Sequence, residues 1–259
     1  MRLSDTPAVL AILAFATMWA AAHLGIVLRR QALKSVAAAA PDELRLIVGA
    51  SLTLLGLLIG FSFSMGVNRY DLRKSYEAEE ANAIGTEYLR VTLLPAADDV
   101  TKLRTLLESY LEQRILFYTT QDDPRLDQVL AATQRLGNEL WSAVQRASTA
   151  QPSALSALAA AGMNDVLNAQ AYAQAAWWNR IPRSAWALML VMGIFCNVLV
   201  GFSVVDPNAR PRVFFILPLI VAVSLFLIAD MDSPRRGVIR LAPLNLLSLS
   251  QTLPPARHE

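Results

Sequence analysis

Four apolar runs constrain this chain more than any other feature. They cover residues 7–28, 46–67, 185–205 and 213–229. Each is near the roughly 20 residues that a helix needs to cross the hydrocarbon core of a bilayer. With no water there to satisfy backbone N–H and C=O groups, such runs must be helical. The fourth run is the shortest and contains Pro218, which a membrane helix tolerates when neighbours satisfy the freed carbonyl. Hydrophobic residues make up 54% of the chain and charged residues 17%, against about 25% charge in a soluble domain. The expected fold is therefore all-α: a polytopic membrane protein with four transmembrane helices. The first run is longer than the apolar stretch of a signal peptide and Arg2 is a weak positive start. It reads as a retained span, although the alanines at 20–22 resemble a cleavage site.

Residues 71–180 differ in composition and form a soluble helical insert between spans two and three. The membrane region is then 1–70 with 181–232, and 233–259 is a C-terminal tail. No proline or glycine pair interrupts residues 46–94, so span two should continue beyond the membrane as one rod ending at Pro95. Leu103, Leu106, Leu107, Tyr110, Leu111 and Ile115 recur at helical spacing in the next segment. Asp122, Asp123 and Pro124 open a third insert helix through Trp141 to Arg146, and Pro152 opens a fourth, towards Trp177. Trp177, Trp178, Trp186 and Tyr70 fall at the edges of spans two and three, where aromatic rings favour the membrane interface. Trp141 reads instead as a core aromatic.

Several function classes are excluded. The net charge of +2 and the lack of a nucleic-acid-binding motif leave no nucleic acid partner. Cys196 is the only cysteine, so there is neither a disulfide framework nor a cysteine-based metal site. Inside an apolar run it reads as a small membrane-helix residue. His23 lies in span one and His258 in the tail, without a partner at ligand spacing. No nucleophile elbow, phosphate loop or HExxH stretch is present. Glu79/Glu80 and Asp98/Asp99 are adjacent pairs, which a helix points about 100° apart, so neither pair acts on one bond. The chain reads as a non-enzyme with no cofactor and no metal.

Four spans put both termini and the insert on one side of the membrane. On that side lie Arg2, Arg69, Arg73, Lys74, Arg180, Arg183, Arg235, Arg236 and Arg240. Fewer cations, Arg29, Arg30, Lys34, Arg45, Arg210 and Arg212, lie opposite. The positive-inside rule makes the insert and the termini cytoplasmic.

Span two carries a narrow patterned strip. At about 100° per residue from Thr53, Ser64 falls near 20°, Leu57 near 40°, Asn68 near 60° and Phe61 near 80°. Asp71, Ser75, Glu79, Asn82 and Thr86 continue inside the same arc beyond the membrane. An apolar pinch leading to a polar, acid-tinged surface suits a pore wall that gates by dewetting. Gly56 and Gly60 form a small-xxx-small pair, which lets two helices approach closely. Two readings of the pattern stand side by side: a pore lining made by several copies, or the solvated face of a protruding helix with glycines packed inside one subunit.

A resemblance bears on that choice. Gly60-Phe61-Ser62-Phe63 and Asn68-Arg69-Tyr70, followed by Glu80-Ala81-Asn82-Ala83-Ile84-Gly85-Thr86 and Leu89-Arg90, resemble a bacterial membrane family described as bestrophin-like. Asp230-Met231-Asp232-Ser233-Pro234-Arg235-Arg236-Gly237 resembles its second signature. The family is distantly similar to bestrophins, pentameric ion channels with four spans per subunit, a cytosolic helical region and a pore neck formed by the second span. The resemblance implies a homo-oligomer, inorganic ions and lipid as partners, and neck residues every fourth position ending at the Phe of a Gly-Phe pair, here Thr53, Leu57 and Phe61. Thr53 departs from the apolar neck pattern. Asp230 and Asp232 stand near where animal bestrophins hold calcium, but two aspartates are too few for that ion, and capping the chain's turn away from the membrane is the alternative. A non-conducting scaffold or sensor whose insert binds a partner is the competing function.

Overall fold

In a computed structural model, residues 6–33, 42–204 and 214–253 are described. Arg2, Lys34, Arg210, Arg212 and His258, with the end of the third apolar run and the start of the fourth, lie outside them. The order is α1 (Pro7–Leu33), α2 (Asp42–Arg90), a 3-10 turn (Val91–Leu93), α3 (Ala97–Thr119), α4 (Asp123–Ala150), α5 (Ala154–Trp178), α6 (Arg183–Phe202), α7 (Ile216–Asp232) and α8 (Leu244–Thr252). No strand occurs among the described residues. Three stretches there are helical, long and apolar enough to cross a membrane: α1, α2 with its 3-10 extension, and the α5–α6 stretch Ala154–Phe202. At 17 residues, α7 is shorter. The chain divides into two compact units. One takes residues up to Arg69 and Arg180–Ile239; the other takes Tyr70–Asn179 and the chain from Arg240.

In the first unit α1 packs against α6 and α7. The α1–α6 approach is close because both helices present glycine. A Cβ on Gly25 would collide with the Val198 carbonyl and a Cβ on Gly201 with the Ala22 carbonyl, so contact here is backbone to backbone. Met18, Met189, Cys196, Leu225 and Ile228 fill the core. Cys196 is buried, its thiol donating to the Ser51 carbonyl at 3.4 Å. His23 lies 3.0 Å from the Trp19 carbonyl through Nδ1, as a hydrogen-bonded residue of its own helix.

The second unit is a helical bundle whose joints are capped. Asp122 accepts the Arg125 N–H at 3.2 Å, with proline in the first turn of α4. Ser153 and Ser156 form a reciprocal capping box at the start of α5. Leu103, Leu107, Leu140, Val144, Met163 and Val166 build an apolar centre. Within it Arg114 of α3 and Glu80 of α2 form a wholly buried ion pair, and the Tyr118 hydroxyl donates to Glu80 at 3.0 Å. Burial, and then the charge of Glu80, hold the Tyr118 phenol well above its ordinary range, so it remains a donor. The Arg114 guanidinium also lies 4.4 Å from the Phe117 ring.

Two aromatics differ from expectation. Trp177 is a core residue of this unit, edge-on to Phe117 and Tyr118 at 5.3 and 5.4 Å, whereas Trp141 is exposed. Period and position along the chain cannot separate an interfacial tryptophan from one that folds back onto α3. Nor is the chain after 240 a bare tail: α8 packs on α3, and Leu246 is fully buried.

Removing one partner of a buried ion pair strands the other. Arg114→Met should lower unfolding stability by about 3–5 kcal/mol, and the double change with Glu80→Met should recover much of it. Thermal or denaturant unfolding of the purified variants measures both.

Candidate functional site

Helix α2 has two opposite faces. Its buried residues are Leu55, Gly66, Arg73, Glu77, Glu80, Ala81, Ile84, Glu87 and Tyr88. At about 100° per residue these cluster on the side opposite the Thr53 strip. Three of their charges, Arg73, Glu77 and Glu80, are met by named partners. Arg73 donates to the Ala176 and Asn179 carbonyls at 3.1 and 3.2 Å, closing the C-terminus of α5. Glu77 accepts the Leu246 N–H at 2.9 Å and the Asn245 amide at 2.6 Å, capping the N-terminal turn of α8. Glu80 takes Arg114.

Every strip residue is exposed: Thr53, Leu57, Phe61, Ser64 and Asn68, then Asp71, Ser75, Glu79, Asn82 and Thr86. Leu57 is 52% and Phe61 63% exposed, so neither is buried inside the chain. Thr53 returns its hydroxyl to the Gly49 carbonyl at 2.9 Å, and Ser75 donates to Glu79 at 3.3 Å. Around Gly56 and Gly60 a Cβ would meet nothing within 4 Å. The close glycine packing inside the chain belongs to α1 and α6, a contact that sequence reading missed because Gly25 and Gly201 are isolated glycines. Of the apolar window of α2 only 6% is buried in the chain, against 33% for α1.

The aspartates in the last turn of α7 have a structural task. The Asp230 carboxylate accepts the Val238 and Ile239 N–H groups at 2.6 and 2.7 Å. Asp232 accepts the Ile181 N–H at 2.9 Å and lies 3.8 Å from Arg69. Among the described residues no group of three or more His, Cys, Asp or Glu side chains could hold a metal ion.

With this geometry in hand, the comparisons are consistent. The chain belongs to the bestrophin-like family: the profile of the Bestrophin-like domain matches residues 8–246. A bacterial bestrophin homologue from Klebsiella pneumoniae superposes with a TM-score of 0.66 at 14% identity, covering 94% of this chain and 99% of that one. A point-mutated form gives 0.68 at 12% identity, covering 96% and 99%. A structure described only as a membrane protein gives 0.67 at 14%, covering 94% and 99%. At such identities the likeness speaks for the fold. Among curated proteins none matches in sequence.

One buried group on the inner face of α2, beyond its apolar segment, is poised to titrate. Glu87 is fully buried and neither carboxylate oxygen has a hydrogen-bond partner. Burial raises its pKa from 4.5 to about 8, with Arg90 opposing and Asp165 adding to the rise. Between those values the folded chain holds a proton that the unfolded chain has released. The contribution to stability is thus complete below pH 4.5 and is lost as pH rises to about 8. The melting temperature should fall as pH is raised through this window, and Glu87→Gln should flatten the fall; a pH series of thermal unfolding on both proteins measures it.

Proposed function

We propose that this chain is a homo-oligomeric ion channel, pentameric as the family resemblance implies, with a pore lined by span two. Membership of the bestrophin-like family supports a channel kind of function. The observation that carries the pore reading is the near absence of protomer contacts on the apolar part of α2, of which 6% is buried. A strip buried within one subunit would have contradicted it. Leu57 and Phe61 form the constriction with Thr53 at one end; Ser64, Asn68, Asp71, Ser75, Glu79, Asn82 and Thr86 line the wider path. Asp71 and Glu79 put negative charge on that path and favour cations. Arg69 sits on the inner face beside Asp232 and Arg73 is fully buried, so neither offsets that charge on the strip. Gly56 and Gly60, open in the subunit, bring neighbouring copies of span two together.

In this reading the shorter α7 serves as the fourth span, the insert and both termini lie in the cytoplasm, and the membrane is the bacterial inner membrane. Inorganic ions, lipid and further copies of the chain are the partners. Lining a pore takes no cofactor, and catalysis has no place in this reading. The scaffold alternative is separated by flux. Purified protein in liposomes should pass ions, and Phe61→Ala should change that flux several-fold while leaving the oligomer intact; no flux from either form supports a scaffold. A purified chain that is monomeric or dimeric ends the pore reading, since such a particle cannot enclose an axis with span two. A second test isolates the glycines. Gly56→Leu should leave the fold of the subunit unchanged, because nothing lies within 4 Å of its Cβ, yet it should shift the assembly toward smaller species in light scattering.

A further inference from the structure

The insert holds a pocket of about 540 Å³ between α3, α4 and α5 that the channel reading does not use. No residue lining it carries a charge at neutral pH. Gln134, Asn138, Asn164 and Gln170 contribute carboxamides, with Tyr110 and Trp141 beside them. Tyr110 is fully buried and its hydroxyl has no hydrogen-bond partner, a condition that costs free energy and that few native groups tolerate. Trp141 is 41% exposed, a large apolar surface at the edge of a polar recess.

This chemistry selects a ligand class. A phosphate or carboxylate would enter without a cation to meet it, and an ammonium without a carboxylate, so ionic ligands are disfavoured. Carboxamides and hydroxyls both donate and accept hydrogen bonds, as does each hydroxyl of a sugar. An indole supplies a flat apolar surface for the C–H side of a ring, and the volume falls in the range of small-molecule sites. We propose that this pocket binds an uncharged polyhydroxylated small molecule, a sugar or cyclic polyol, with Trp141 against its ring and the exposed carboxamides of Gln134, Asn138 and Asn164 hydrogen-bonded to its hydroxyls. None of the strip residues of α2 lines the pocket, so the site stands whether or not the chain conducts.

The test uses the full chain in lipid nanodiscs free of glycoside detergents, whose headgroups would compete. Glucose, maltose, trehalose and myo-inositol are titrated by calorimetry and by thermal unfolding. At least one should bind saturably, once per chain. Trp141→Ala should weaken that binding by about tenfold or more. Without sugar, Trp141→Ala should melt like the parent because its side chain is half exposed. The proposal is overturned if none of the four binds saturably up to about 10 mM, if Trp141→Ala binds as tightly as the parent, or if only phosphate, glutamine or uridine binds.

Discussion

The structure depends on the way α2 is held about its own axis. Three charges on one face of this helix, Arg73, Glu77 and Glu80, each engage a different element: the last carbonyls of α5, the first turn of α8 and Arg114 of α3. Spaced three and four residues apart, they form a single row. Turning the helix by one residue, about 100°, would strand all three. An unpaired buried charge is among the most destabilising defects a core can contain, so the rotation of α2 is set. From Asp71 onward, the exposure of the opposite residues Asp71, Ser75, Glu79, Asn82 and Thr86 is a consequence of that anchoring rather than a separate feature.

Glycine serves two purposes along the membrane-facing helices, and position decides which. Gly25 and Gly201 sit where a neighbouring backbone occupies the place of a side chain, and they allow α1 and α6 to touch. Gly56 and Gly60 open onto empty space in the subunit. The same contrast separates the acidic residues. Asp230 and Asp232 bind backbone N–H groups and hold the chain as it leaves α7 and enters α6, while Asp71 and Glu79 remain exposed on the strip. Composition alone treats these as equivalent; packing does not.

Much of the helix order was legible because its signals are local. The uninterrupted residues 46–94 became one helix closed by a 3-10 turn before Pro95, and Asp122 and Pro124 start α4 where the cap rule puts them. Family membership followed from short motifs on α2 and from the end of α7 onward. What escaped depends on contacts distant in sequence. The short segment after 240 has weak helical character of its own and folds because Glu77, some 170 residues earlier, caps it. Trp177 and Trp141 exchanged expected places because burial is decided by which helix lies opposite. For the strip, the sequence supplied angles about one axis; exposure came only with the neighbours of α2.

An exposed apolar helix is not by itself an argument for assembly, because lipid tails are as apolar as leucine and cover such a surface without loss. The distinction lies in what accompanies the apolar side chains. Gly56 and Gly60 leave a shallow groove that a second helix fills with more contacts than disordered lipid does. Ser64 and Asn68 lie on the same strip as Leu57 and Phe61, and an exposed Asn side chain near the end of a span is better placed against water or protein than against hydrocarbon. Lipid satisfies Leu57 and Phe61 but neither the groove nor the amide. Further copies around a wet axis would satisfy all of them at once, and this combination, rather than apolarity, is what supports the proposed pore wall.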